Sequence, residues 1–304
     1  MRSIYTAVLA ATLLAPSFAS ADSGRIPTGS FELGRVAPRA LTSPGANAVA
    51  ARSKPAAPAT YGGATSTGAP FVLRLARGGK RIDKVGFRSR LHCTSGEEFS
   101  QGAYLTPQKH KLGRTGKFHL ALLGTADAGN GQVMAASASV IGKVRPGQAT
   151  GTIQLHVDVV NTADGSKVDS CDSDRERWTA KTAQGRIYGG ATSDNEPVVV
   201  KLSKNRGKVT DLVIAWGAPC TNGSFTAVDD LTDFPIDPSC QFGDTFPIEG
   251  DLGGGEHARV DYEVKGKVGK RKASGQLHMV VSVTAPTGET DNCDSGPISW
   301  SATS

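Results

Sequence analysis

The sequence predicts an all-β protein: two tandem antiparallel β-sandwich domains, jelly-roll or Ig-like, from an internal duplication, each closed by a disulfide. The hexapeptide Tyr61-Gly62-Gly63-Ala64-Thr65-Ser66 returns letter for letter as Tyr188-Gly189-Gly190-Ala191-Thr192-Ser193, 127 residues on. Each tyrosine is followed after 32 residues by a cysteine, Cys93 or Cys220. Each copy ends on Cys-Asp-Ser with a tryptophan seven residues past the cysteine, Cys171 with Trp178 and Cys293 with Trp300. Solenoid units run to roughly 20–50 residues, so a period this long marks a duplicated domain. Apolar residues recur at every second position, the period of a half-buried strand. No amphipathic stretch of helical length separates these runs, which excludes a parallel α/β fold.

The first element is a signal peptide, residues 1–21. Met1-Arg2 precedes an apolar run from Ile4 to Pro16, and Ala19-Ser20-Ala21 suits signal peptidase. The run falls short of the ~20 apolar residues of a membrane span, and no second stretch of that length follows. Residues 22–60 read as a disordered Ala/Pro-rich linker, too poor in large apolar groups to offset the entropy of ordering. Arg25, Arg35, Arg39, Arg52 and Lys54 make it basic.

The first β-sandwich domain is placed at 61–181. Phe71, Leu73 and Leu75 alternate with Val72 and Arg74, and Val85 and Phe87 with Gly86 and Arg88. The second, at 182–304, repeats this with Val198, Val200 and Leu202, then with Leu212, Ile214 and Trp216. Late strands match too, Ile153, Leu155 and Val157 with Leu277, Met279 and Val281. Both are entered through Ala-x-Gly (Ala149, Gly151; Ala273, Gly275) and preceded by Gly-Lys-Val at Gly142 and Gly266. Each domain is large enough to hold its own core. Trp178 and Trp300 read as core plugs beside the closing cysteines.

Five cysteines in an exported chain point to disulfides. The repeat pairs Cys93 with Cys171 and Cys220 with Cys293. Cys240 is the odd one, assigned to an insertion of the second copy. It stands as a free thiol, as a bridge between molecules, or as an alternative partner for Cys220.

Charge divides the copies. Residues 61–181 hold 17 Lys and Arg against 10 Asp and Glu, a net of +7, while 182–304 hold 11 against 16, a net of −5. Arg74, Arg88 and Arg90 share the solvent parity of their strands, a candidate face for an anionic ligand. A nucleic-acid partner is not expected, because aromatics are few, the second domain is acidic and the chain is exported.

No G-x-S-x-G, H-E-x-x-H, P-loop or dinucleotide fingerprint occurs, so no catalysis and no cofactor is expected. His156 and His278 lie on outward positions of the late strands, where a lone histidine is ordinary surface. The most site-like stretch follows Cys220, a long acidic loop with Asp229, Asp230, Asp233, Asp237 and Asp244 among Phe234, Phe242 and Phe246. Asp229, Asp230 and Asp233 are a candidate calcium set, although the spacing fits no EF-hand.

The ensemble of Tyr-Gly-Gly-x-Thr-Ser, Cys-Thr-x-Gly (Cys93 to Gly96, Cys220 to Gly223), Ala-x-Gly and Cys-Asp-Ser-x4-Trp resembles secreted tandem β-domain proteins of Gram-positive bacteria, over residues 61–304. The resemblance implies fold and export and supplies no catalytic residue. The expected function is that of a secreted or cell-surface binding protein for a carbohydrate or envelope polymer. A glycan hydrolase and a structural or protein-interaction module are the alternatives.

Overall fold

The computed structural model describes residues 59–76, 78–107, 110–129, 131–221, 223–253 and 255–304. The expected signal peptide and all but the last two linker residues lie outside the described residues.

The first half contains β1 (Thr60–Thr65), β2 (Pro70–Leu75), β3 (Ile82–Cys93), β4 (Glu98–Leu105), β5 (Lys117–Gly129), β6 (Gln132–Arg145), β7 (Gln148–Asn161), β8 (Lys167–Asp172) and β9 (Glu176–Lys181). The second contains β10 (Ile187–Thr192), β11 (Pro197–Leu202), β12 (Lys208–Cys220), β13 (Gly223–Leu231), β14 (Phe234–Pro235), β15 (Gln241–Gly253), β16 (Glu256–Val268), β17 (Lys272–Thr284), β18 (Thr290–Asp294) and β19 (Ile298–Thr303). All pairings are antiparallel. One sheet runs β4-β3-β2-β1-β9-β7-β6-β5 and the other β13-β12-β11-β10-β19-β17-β16-β15, the same order strand for strand.

Each sheet folds over on itself into two layers about one core, a β-sandwich-like arrangement. The layers join at one end through β1 and β9, where Gly63 lies opposite Ala180. They join at the other through β8, which pairs with both β3 and β7. A disulfide sits in each of these closures: Cys93–Cys171 links directly opposed residues of β3 and β8, and Cys220–Cys293 those of β12 and β18. The cores follow the expected parity, with Phe71, Leu73, Leu75, Val85 and Phe87 buried in the first and Val198, Val200, Leu212, Ile214 and Trp216 in the second.

Packing explains the repeated glycines. Gly142 and Gly151 face each other across β6 and β7, and the Trp178 ring covers both. A Cβ on either would lie within about 2.6 Å of Trp178 Cζ2. Gly266 and Gly275 make the same bed for Trp300. The paired glycines of the hexapeptides divide two tasks. Gly63 and Gly190 permit close passage at the β1–β9 and β10–β19 folds, where a Cβ would meet a backbone oxygen at 2.0 and 1.9 Å. Gly62 and Gly189 face the other half. A Cβ on Gly62 would lie 2.9 Å from Val199, and one on Gly189 would lie 2.6 Å from Val72.

That reciprocal contact is the junction between halves. The outer surfaces of β2 and β11 meet there, burying Val72, Val199 and Val213 with Tyr104 and Val228 at the rim.

The stretch expected to be an acidic loop is ordered as β13, β14 and the start of β15. Phe234 and Phe242 drive this, since both are buried and pack as tilted rings 5.8 Å apart. Nor is there an insertion around Cys240. Cys240 accepts from Val268 N–H through its carbonyl at 2.9 Å, as Gly116 does from Val144 N–H in the first half. The two residues hold the same turn, with φ of 64° and 78°.

Candidate functional site

The three arginines expected to form a basic face do not form one. Arg74 is paired with Asp83 at 2.5 Å, and Arg90 with Glu98. Arg88 points away from its own core, as parity requires, but that side of the sheet is covered by the second half. It is 3% exposed and paired with Glu196 at 2.7 Å. Gly102 makes room for the Glu196 carboxylate, which a Cβ there would strike at 1.8 Å. Arg88 therefore holds the halves together.

The three aspartates expected to share a calcium ion are also kept apart. Successive strand residues point to opposite faces, so Asp229 is buried while its neighbour Asp230 is exposed. Asp233 lies beyond the strand end and is paired with Lys208 at 2.5 Å. Trp216 Nε1 and Tyr262 OH donate to the Asp229 carboxylate, the latter at 3.1 Å. Burial pushes the Asp229 pKa up to about 6 despite those two donors. Burial and the adjacent Asp229 also raise that of Tyr262. Among the described residues, the groups with metal-ligand proximity are Cys93, Asp169 and Cys171 and their counterparts Cys220, Asp291 and Cys293, whose sulfurs are oxidised to disulfides.

His156 Nδ1–H donates to the Asp172 carboxylate at 2.8 Å and the ring lies 3.2 Å from Asp158, and His278 meets Asp294 at 2.7 Å. The bond to Asp172 is the main cause raising the His156 pKa. Cys240 is a free, exposed thiol.

A different basic surface emerges from strand register, on the outer face of the layer β5-β6-β7-β9. Phe118, Val140, Val144, Ala149, Ile153, Trp178 and Ala180 turn inward, which leaves the alternating residues outside. Lys117 lies directly opposite Lys143, and that row continues through Thr150 to Thr179. The row on one side carries Arg145, Gln148 and Lys181. The row on the other carries His119, Ile141, Thr152 and Arg177. Strands stand about 4.8 Å apart and alternate residues about 6.7 Å apart, so Lys117, Lys143, Arg145, Arg177 and Lys181 form a compact grid. Among the described residues none of the five has an ion-pair partner. Ile141 is 44% exposed among them.

Sequence parity marks each of these cations as outward, but their adjacency depends on the register of the β5–β6 and β6–β7 hairpins and of the β7–β9 pairing. Of those five places the second half keeps a cation only at Lys267, opposite Gln241, and it adds Lys272 where the first half has Gln148. Gly269, Ser299 and Thr303 stand where the first half has Arg145, Arg177 and Lys181. Farther along that face, Arg259 is paired with Glu249 and Asp261, and Lys265 with Glu263.

No protein-family model matches the chain, and neither a curated protein nor a solved structure resembles it closely enough to count as a match.

Proposed function

We propose that this is an exported, non-catalytic binding protein whose ligand is an anionic carbohydrate or envelope polymer, held on the five-cation face of the first half. One observation carries the reading: Lys117 and Lys143 oppose each other across β5 and β6, and among the described residues neither has an ion-pair partner. Like charges directly opposite in a sheet destabilise it by a few tenths of a kcal/mol or more. The second half relieves that repulsion with Gln241. A polyanion laid across the rows neutralises it, and Thr150, Thr152 and Thr179 supply hydroxyl partners between the cations. The two disulfides fit an oxidising compartment.

The test is retention of the protein on immobilised dextran sulfate, with uncharged dextran as the control, across a salt series. Retention on the charged matrix that salt abolishes is the expected result. The Lys117→Gln/Lys143→Gln variant should bind several-fold more weakly, at about 0.5–1 kcal/mol per exposed charge contact. No retention, or a variant that binds like the parent, overturns the reading.

A further inference from the structure

The two sheets end on long edge strands, β5 and β15, and the two edges are built differently. Val144 N–H donates to Gly116 O, which directs the even-numbered residues of β6 toward β5. Phe118, Leu120 and Leu122 therefore point their backbone groups at β6. Lys117 O accepts from Gly113 N–H on the far side, so odd-numbered residues of β5 point away from the sheet. His119, Ala121, Leu123 and Thr125 thus offer N–H and C=O groups along an edge with which no described strand pairs.

The same bonds, Val268 N–H to Cys240 O and Asp237 N–H to Gln241 O, fix the phase of β15. Its edge-facing residues are Gly243, Thr245, Pro247, Glu249 and Asp251. Pro247 stands opposite Asp261 as Leu123 stands opposite Ser137, the equivalent place in the first half. Proline has no N–H to offer, and edge charges repel an incoming strand. The second half therefore carries a proline and a glutamate on its edge where the first half has Leu123 and Thr125, while Asp251 has a counterpart in Asp127. From His119 to Thr125 the first half carries neither proline nor carboxylate, and Leu123 is 39% exposed.

We propose that β5 is an association edge for a second copy of this chain, pairing antiparallel about a two-fold axis near Leu123. The occupant follows from self-complementarity. A two-fold axis at the strand centre sets odd residues against odd residues, which are those with free backbone groups. It brings Leu123 against its symmetry mate and Ala121 against Thr125, so the exposed leucine is covered. It also sends the two Lys117 residues to opposite ends of the joined strands, beyond the range of their mutual repulsion. The paired sheets then present two cation grids on one continuous face. This inference does not depend on the ligand of that face.

The test is the mass of the protein by sedimentation equilibrium up to about 1 mM, with hydrogen exchange of the β5 amides. Self-association to a dimer is expected, with the Ala121, Leu123 and Thr125 amides protected only at high concentration. Leu123→Pro imports the residue that the second half tolerates at this place. It should weaken association by about tenfold or more, roughly 1.4 kcal/mol, with the unfolding midpoint retained. Leu123→Lys, which sets two ammonium groups face to face, is the second variant should the proline one not fold. A single-chain mass at that concentration overturns the proposal. So does a dimer that both variants leave intact, or one that protects a strand other than β5.

Discussion

The interiors of the two halves differ at one level of an otherwise shared fold. In the second, Trp216, Tyr262 and the buried Asp229 fill the space between the layers and bond to one another. The equivalent positions of the first hold Ser89, Ala138 and Ala103. There the layers leave an apolar crevice lined by Phe87, Gln101, Gly102, Ala103, Ala136, Ala138 and Leu155, with free space for about one water molecule. The positions held in common are of another kind: cysteines that close the layers, glycines that let strands pass, and a tryptophan over two glycines. A sheet folded in this way is specified at its corners. Its middle accepts an aromatic triad with a carboxylate or a set of small side chains.

The largest test of that contrast is the corner itself. Cys171→Ser and Cys293→Ser each open a covalent loop, of 78 and 73 residues in sequence separation. Each should lower the stability of its own half by about 4 kcal/mol on chain-entropy grounds. Unfolding monitored separately in the two halves should show nearly equal losses, and a loss confined to one half would break the comparison.

A smaller effect belongs to the filled interior. With its folded pKa raised to about 6, Asp229 binds a proton more tightly in the folded than in the unfolded chain. Its contribution is therefore most favourable below the unfolded pKa of about 3.9 and declines as pH rises to about 6, by about 2–3 kcal/mol. Asp229→Asn should make the second half more stable than the parent at pH 7.5, with the gap closing toward pH 4. Denaturant titrations of parent and variant at both pH values measure this, and a gap independent of pH would show that the carboxylate is not desolvated.

The smallest effect is at the turn before β15. Cys240 adopts a left-handed conformation where the first half has Gly116. Cys240→Gly should raise stability by up to about 1 kcal/mol, the strain of a side chain at positive φ less the added freedom of the unfolded chain. A lower unfolding midpoint would mean that the thiol makes a stabilising contact.

The cysteine pairing was legible because a duplicated spacing leaves one symmetric solution, and the core because period-two alternation survives translation into burial. Arg88 shows where that logic stops. Parity tells which side of a sheet a residue takes, and only packing of the halves tells that this side is covered. Asp229 fails for the converse reason: three aspartates close in sequence lie on opposite faces of a strand and beyond its end. The cation grid was hidden because Lys117, Lys143 and Lys181 become neighbours only through the register of β5, β6, β7 and β9. The unguarded edge of β5 becomes visible beside Pro247 once the two sheets share one numbering of equivalent positions.

The placement of the disulfides also sets how each half answers a mechanical load. The start of β1 lies beside the end of β9, with Gly62 opposite Lys181, so tension on the ends of the half peels these strands apart one bond at a time. Peeling stops at the covalent closure. The loop from Cys93 to Cys171, 78 residues in sequence separation, remains out of reach, roughly 25 nm of contour at about 3.4 Å per residue. Each half is thus a short-travel link: it yields a few tens of residues under force and then holds, until a reductant releases the remainder.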